Sequence, residues 1–283
     1  MEGASTSSTY QAPVLKAKDY KSDINPIWCP GCGDFGVLAA MTKAAAYLGL
    51  AKEQLAMVSG IGCSSRLPAY INSYGFHGIH GRSLAIAAGL KAARPDLTVV
   101  VAGGDGDGFS IGGNHFIHAC RRNMDLTYIV MDNEVYGMTK GQASPTTQPD
   151  WKNSKLTPRG TGVRRFQPAA LALAAGASFI ARGFTGDPSG LTQLIVQAIQ
   201  HQGFSFLHVL SPCQTYQPEQ KEWKHLVHEN EIEATDDPIE AASRIQADDG
   251  MSLGIIYAQQ LPTWLPPHLS QASLPEIEAE FKL

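Results

Sequence analysis

Two apolar runs separated by a segment of helical length constrain the fold of this chain more than any other feature. Residues 97–102 and 126–131 are rich in β-branched side chains, which predicts two buried strands of a parallel sheet. The segment between them, residues 110–121, is long enough for a helix. Parallel strands joined through helices are typical of α/β proteins. We therefore expect a mostly parallel sheet with helices on both faces.

Each predicted strand ends in a loop of glycine and oxygen-bearing residues. The first loop, residues 103–108, reads GGDGDG, and the second, residues 132–137, reads DNEVYG. Open α/β sheets bind ligands at the carboxyl ends of their strands, so Asp105 and Asn133 are expected to lie side by side. Their carboxylate and amide oxygens suit a Mg²⁺ ion that keeps a substrate phosphate. Taken alone, the first loop is equally compatible with a glycine-rich turn whose aspartates are solvated.

Length and composition limit the class of protein. The 283 residues can bury one large α/β core or two small ones. The net charge is −4 and no basic block occurs, so no nucleic-acid partner is expected. No apolar run reaches the roughly 20 residues of a membrane span, and the N-terminus lacks a signal-peptide pattern, which predicts a cytoplasmic protein without membrane contact.

In a cytoplasmic protein, five cysteines are expected to be ligands or catalytic thiols rather than disulfides. Four of them fall in loops at the predicted carboxyl edge: Cys29, Cys32, Cys63 and Cys213. The Cys-x-x-Cys pair taken alone fits a redox dithiol, half of a zinc site or half of an iron–sulfur site. Four thiolates together fit either Zn²⁺ or a [4Fe–4S] cluster. The fifth, Cys120, lies within a predicted helix and is expected to be a packed thiol.

The rest of the chain is predicted to form an arm, a domain and an extension. Residues 1–24 lack periodicity and form the arm, residues 25–215 form the α/β domain, and residues 216–283 are a charged, proline-rich extension without α/β alternation. Asp34 is expected to cap a helix over residues 35–48. The irregular run over residues 143–167 predicts a lid or a partner contact.

The motifs resemble those of a known family. A GDG sequence after one strand and an Asn after the next resemble the diphosphate signature of thiamine-diphosphate enzymes. The run MDNEVYGMT, residues 131–139, is similar to the β subunits of the 2-oxoacid:ferredoxin oxidoreductases. The cysteine segments at residues 25–33, 60–64 and 212–213 match that family in order and in spacing. The family usually has glycine where Lys140 stands here.

The resemblance implies a thiamine-diphosphate-binding fold that holds thiamine diphosphate, Mg²⁺ and one [4Fe–4S] cluster. The implied Mg²⁺ ligands are Asp105, Asn133 and the main-chain carbonyl of Val135, and the implied cluster ligands are the four loop cysteines. The implied thiamine contacts are Ile61, Gly62, Cys63, Ser64, Ser65, His80, Gly104, Asp105, Gly106, Asp107, Asn133, Val135, Tyr136, Gly137, Met138 and Thr139.

The resemblance also implies the activity, which is the CoA-linked oxidative decarboxylation of a 2-oxoacid with electrons passed through the cluster to ferredoxin. Arg66 and Met138 stand where related enzymes meet the 2-oxoacid. The planar cation of Arg66 suits a second carboxylate, so we expect 2-oxoglutarate as substrate and succinyl-CoA as product. The family's glutamate that activates the aminopyrimidine lies on the α subunit, which implies an (αβ)₂ assembly.

Two other functions are compatible with the residues alone. One is a thiamine-dependent decarboxylase or dehydrogenase subunit with a zinc site, and the other is a non-catalytic scaffold subunit with structural zinc. A broad absorption band near roughly 400 nm distinguishes an iron–sulfur protein from both alternatives.

Overall fold

The computed structural model describes residues 15–152, 155–229, 234–264 and 279. Within them, the chain forms ten strands: β1 Leu55–Ser59, β2 Tyr74–His77, β3 Thr98–Gly104, β4 Leu126–Asp132, β5 Val135–Tyr136, β6 Gln142–Ala143, β7 Phe179–Phe184, β8 Phe204–Leu210, β9 His228–Glu229 and β10 Ser252–Ala258. The α-helices are α1 Asp34–Leu48, α2 Leu67–Tyr70, α3 Ser83–Ala93, α4 Gly113–Arg122, α5 Pro168–Ala174, α6 Pro188–Gln200, α7 Trp223–Leu226 and α8 Pro238–Ala247. None of the described helices is long and apolar enough to cross a membrane.

Eight of these strands form one sheet in the order β2-β1-β3-β4-β8-β7-β10-β9. Every neighbouring pair is parallel except β7 and β10, which are antiparallel. The short strands β5 and β6 pair with each other outside this sheet. The sheet is therefore mostly parallel, as the sequence predicts.

Helices cover both faces of the sheet. Successive side chains of a strand point to opposite faces, so each central strand contributes to two core layers. In β3, Val100 and Ala102 pack in the core layer that contains α1 and α6. Val99 and Val101 pack in the other layer, which contains α3, α4, α5 and α8. Both faces of the central strands are buried, so these strands read as continuous apolar runs rather than as an alternating pattern.

The structure corrects several local predictions. Asp34 does not cap α1: Gly33 occupies the cap position, and the Asp34 carboxylate instead accepts a hydrogen bond of 2.7 Å from Ser211 Oγ. The helix expected from residue 110 begins at Gly113, because Asp107–Ile111 forms a separate wide turn. Strand β2 was not predicted, because all four of its residues are exposed and no apolar alternation marks it.

The two chain ends also take more regular structure than their composition suggests. The described part of the arm includes a turn, Ala17–Tyr20, whose Tyr20 ring is fully buried in the core. The C-terminal segment was expected to lack α/β alternation, yet it contributes α8 and the sheet strand β10. Burial of a few aromatic and aliphatic side chains thus outweighs the polar composition of both segments.

Candidate active site

The loops that follow β1, β3 and β4 enclose a cavity of about 530 Å³ at the carboxyl edge of the sheet. All of the predicted thiamine contacts except Ser65 line this cavity. Ser65 is buried behind the wall, where its carbonyl accepts hydrogen bonds of 2.7 Å from Ser59 Oγ and His77 Nδ1. Segments separated widely in the sequence therefore meet where the strand ends predict.

Asp105 places a buried carboxylate at the floor of this cavity. Its Oδ2 accepts a hydrogen bond of 3.0 Å from Thr146 Oγ1. Burial, followed by the neighbouring charge of Asp132, raises the pKa of Asp105 to about 8. A carboxylate that is costly to ionise in this position gains from a divalent cation, which offsets the buried negative charge. The donor set thus fits Mg²⁺.

The second predicted Mg²⁺ ligand, Asn133, lies on the loop after β4. Asn133 Oδ1 accepts a hydrogen bond of 3.1 Å from the Val135 amide, which folds residues 133–135 into a tight turn. Glu134 within this turn has a φ of 56°, a left-handed conformation that non-glycine residues rarely adopt. Asn133 and Val135 both line the cavity that Asp105 lines.

Asp107 joins three loops around the cavity. Its Oδ1 accepts hydrogen bonds from the amides of Ile61 at 2.9 Å and Gly81 at 2.7 Å, and from His80 Nδ1 at 2.9 Å. Because the Nδ1–H group of His80 donates this hydrogen bond, the other ring nitrogen, Nε2, is available to a ligand. Asp107 thus positions the loops and the imidazole, in addition to lining the cavity.

Close approach of backbone and ring explains one glycine of the GDGDG motif. A Cβ at Gly106 would lie 2.2 Å from Cε1 of Tyr136, whose hydroxyl donates to the Gly106 carbonyl at 3.2 Å.

Lys140 stands where the family that the motifs resemble usually has glycine, and it has a φ of 77°. The backbone of this turn therefore keeps the conformation that favours glycine even with lysine in place.

The four loop cysteines gather beside the cavity, and Cys63 lines its wall. The Trp28 indole N–H donates to the Cys63 carbonyl at 2.7 Å, and the Gly33 amide donates to the Pro212 carbonyl at 3.1 Å. These two hydrogen bonds tie the Cys-x-x-Cys loop to the other two cysteine loops.

Electrostatics support the same grouping. Burial, followed by the charge of Asp34 and of Cys213, raises the pKa of Cys63 to about 12. Burial first, with the charge of Cys29 among the smaller causes, also raises the pKa of Cys213. Cys120 lies apart, fully buried in α4 within the other core layer.

Four gathered thiols are ligands that either Zn²⁺ or a [4Fe–4S] cluster uses. Among the described residues, no three His, Cys, Asp or Glu side chains converge closely enough to hold one metal ion. A structural zinc site needs four ligands around one ion, whereas each thiolate of a [4Fe–4S] cluster binds a different iron. Both groups use four thiolates, which is the number of cysteines gathered here.

The two residues predicted to meet the 2-oxoacid differ in position. Met138 lines the cavity and is 53% exposed. Arg66 ends the turn Ser64–Arg66, is half-buried, and lies near enough to Cys63 to favour its thiolate. Arg66 is absent from the residues that line the described cavity.

Behind Asp105 lies a buried polar chain that sequence reasoning missed. The Thr146 hydroxyl lies between Asp105 and Asp132, 2.7 Å from Asp132 Oδ1. The other carboxylate oxygen of Asp132 is 2.8 Å from His208 Nε2. Thr146 belongs to the irregular segment that was expected to be a lid or a partner contact, and no sequence motif marks this residue.

Two buried glutamines from the C-terminal segment, Gln217 and Gln220, were also missed. Gln220 Nε2 donates to the Asn133 carbonyl at 2.9 Å, and Gln220 Oε1 accepts from the Cys213 amide at 2.8 Å. Gln217 Nε2 donates to the Glu134 carbonyl at 2.7 Å. Gln220 is 2% exposed and links the turn that offers Mg²⁺ ligands to a cysteine loop.

Replacing Gln220 by Met is expected to weaken thiamine diphosphate binding about 10-fold and to make the iron centre more labile. The change leaves the Asn133 carbonyl and the Cys213 amide without partners, and each such buried group costs about 1–3 kcal/mol. Gln220→Glu keeps the acceptor for Cys213 and is expected to spare the iron while still weakening thiamine binding. Calorimetric titration and iron release to a chelator measure the two effects; Gln197→Met, on the exposed face of α6, is the control.

Comparisons with known proteins agree with this geometry. Residues 60–209 match the family model described as thiamine pyrophosphate enzyme, C-terminal TPP binding domain. The fold and the cavity thus define a thiamine pyrophosphate enzyme.

Two relatives identify the family within the thiamine pyrophosphate enzymes. The chain is 41% identical over 257 residues to "2-oxoacid:ferredoxin oxidoreductase 2, subunit beta" of Aeropyrum pernix, covering 86% of this chain and 83% of that protein. It is 49% identical over 198 residues to "2-oxoglutarate oxidoreductase subunit KorB" of Mycobacterium tuberculosis, covering 70% of this chain and 53% of that protein. This chain belongs to the β subunits of the 2-oxoacid:ferredoxin oxidoreductases, which confirms the resemblance that the motifs indicated.

A solved structure shares the fold. The structure titled "2-oxoglutarate:ferredoxin oxidoreductase from Magnetococcus marinus with 2-oxoglutarate, coenzyme A and succinyl-CoA bound" matches with a TM-score of 0.85 and 41% identity. The match covers 94% of this chain and 89% of that one. By contrast, the chain matches only about half the length of the mycobacterial relative, 53%.

Proposed function

We propose that this chain is the catalytic β subunit of a 2-oxoglutarate:ferredoxin oxidoreductase. The enzyme converts 2-oxoglutarate and CoA to succinyl-CoA, CO₂ and a proton, and two oxidised ferredoxins accept the two electrons. One observation carries the proposal: Cys63 lines the cavity that Asp105 and Asn133 floor, and it belongs to the gathered set of four thiols. A thiamine site and an electron acceptor would therefore be adjacent. Zinc as a purely structural ion would not need this adjacency.

Each group of residues in the site would have a separate role. Asp105, Asn133 and the Val135 carbonyl would hold Mg²⁺, which would offset the charge of the diphosphate. Bound thiamine diphosphate supplies a carbanion nucleophile and an electron sink for decarboxylation. His80, oriented by Asp107, presents its free ring nitrogen to the cavity. The four cysteines would hold the cluster, which would supply one-electron redox chemistry beside the cavity.

The exposed side of the cavity indicates where a partner subunit would bind. Ile61 is 38% and Met138 is 53% exposed although both line the cavity. We assign the cover of this cavity to the α subunit of an (αβ)₂ assembly, which also supplies the glutamate that the thiamine ring needs. CoA and ferredoxin complete the reaction, and the free cysteines support a cytoplasmic location for the assembly.

The assembled enzyme, prepared without oxygen, tests this function. We expect stoichiometric iron, sulfide and thiamine, a broad band near roughly 400 nm, and reduction of ferredoxin that depends on both 2-oxoglutarate and CoA. A colourless protein that contains zinc would contradict the proposal and favour the decarboxylase or scaffold alternatives.

The substrate prediction concerns Arg66. Arg66→Met is expected to lower kcat/KM for 2-oxoglutarate about 30-fold or more. The change removes the cation proposed to pair with the second carboxylate, and such a pair is worth on the order of 2–4 kcal/mol once the α subunit covers the site. Its effect on pyruvate, which has no second carboxylate, is expected to be small. Steady-state kinetics on both acids measure the difference, with Arg94→Met at an exposed ion pair as the control. A wild-type preference for pyruvate would overturn the substrate assignment alone.

A further inference from the structure

A second cleft, of about 350 Å³, lies against the cysteine loops. The thiamine cavity reaches Cys63, whereas this cleft reaches Cys32, so the two hollows open on different members of the same thiol set. Four glycines contribute to its wall: Gly31, Gly33, Gly36 and Gly186. A wall with so few side chains lets a second molecule approach the cysteines closely.

The cleft carries positive charge and no described carboxylate. Lys221 and Lys224 line it, and both are exposed. They lie three residues apart across the turn Pro218–Glu222 and α7, a spacing that puts both on one face. Glu219 and Glu222 have the same spacing on another face and are absent from the lining. In a chain of net charge −4, this is a local cationic surface.

Electron carriers form small, weak and transient complexes with their donors, and electrostatic attraction steers such encounters. A cationic rim beside a redox centre therefore selects a carrier with an acidic face. Phe184 and Pro212 add apolar contact area within the same cleft.

We propose that this cleft docks a small acidic electron-carrier protein through Lys221 and Lys224, next to Cys32. The inference rests on the proposed function, because it states where electrons leave the chain. Lys221 and Lys224 would hold the oxidised carrier beside Cys32, where it would accept one electron per encounter from the cluster that the cysteines would hold. Oxidation of one 2-oxoacid releases two electrons and therefore serves two carrier molecules.

The test is the double variant K221E/K224E in the assembled holoenzyme, with an acidic ferredoxin as acceptor. At about 0.01 M salt, we expect its KM for ferredoxin to be at least 10-fold higher than that of the wild type. At about 1 M salt, where charges are screened, we expect the two KM values to differ less. The KM for 2-oxoglutarate stays unchanged, and the rate with methyl viologen, which needs no docking surface, is not lowered. K221Q/K224Q is expected to show a smaller rise.

The matched control is R121E/R122E. These two exposed arginines end α4, in the layer on the other face of the sheet, and their reversal changes the net charge equally. We expect the control to keep the wild-type KM for ferredoxin.

Each contrary outcome points to a distinct failure. An unchanged ferredoxin KM in K221E/K224E, with viologen reduction intact, overturns the docking site and leaves the proposed function standing. Loss of αβ assembly in that variant assigns the cleft to a subunit interface and also overturns it. If the wild-type assembly reduces neither acceptor with 2-oxoglutarate, the proposed function itself fails.

Discussion

Replacing Asp105 by Ala is expected to lower the affinity for thiamine diphosphate and Mg²⁺ by about 100-fold or more while the fold survives. The carboxylate lies buried at the end of β3, where it is positioned to bind the ion that compensates the diphosphate charge. Without it, the ion would lose its charged ligand at this position, and the diphosphate charge would be compensated less well. Isothermal titration with thiamine diphosphate and Mg²⁺ measures the loss.

The survival of the fold follows from the pKa of Asp105. Burial and Asp132 raise this pKa to about 8, whereas an unfolded aspartate titrates near roughly 3.9. In the cofactor-free chain, the folded state therefore binds the proton more tightly, and this contribution to stability is lost as pH rises from about 4 through about 8. Removing the carboxylate removes that dependence, so the cofactor-free variant is expected to unfold at a temperature no lower than wild type at pH 8.

Asp96→Ala provides the control for this experiment, because Asp96 is an exposed partner of Arg94. It is expected to bind thiamine diphosphate as the wild type does. A normal content of thiamine diphosphate in Asp105→Ala would contradict the assignment of this residue as a metal ligand.

Serine at any one of the four loop cysteines is expected to remove or bleach most of the iron and to abolish ferredoxin reduction. A serine hydroxyl is a harder and less acidic donor than a thiol, so it holds iron poorly. Iron and sulfide per chain, together with visible absorption, measure the loss. The variants are Cys29→Ser, Cys32→Ser, Cys63→Ser and Cys213→Ser.

Cys120→Ser is the matched control, because Cys120 is fully buried among apolar side chains in α4. It is expected to keep its iron and to lose about 1–3 kcal/mol of stability, the cost of burying a hydroxyl in an apolar site. If Cys120→Ser alone removed iron, the choice of the other four thiols as cluster ligands would be wrong.

The sequence by itself determined the strands around the site and the family. The runs that became β3 and β4 are continuous and apolar, so local composition is enough to predict strands buried on both faces. Glycine and oxygen-bearing residues directly follow these strands, and parallel topology brings such ends together. The predicted contacts at Asp105, Asn133 and Cys63 therefore meet in one cavity because each depends on where a strand ends.

Only the tertiary structure decided which side chains hold these loops in place. Asp107 reaches the Ile61 amide 46 residues away, and Gln220 reaches the Asn133 carbonyl 87 residues away. Strand β10, expected as part of an irregular extension, pairs with β7. Hydrophobic periodicity reports which face of one element is buried, but a hydrogen bond between distant loops leaves no periodic trace. Such partners are fixed only when packing of the whole sheet sets the distances between its loops.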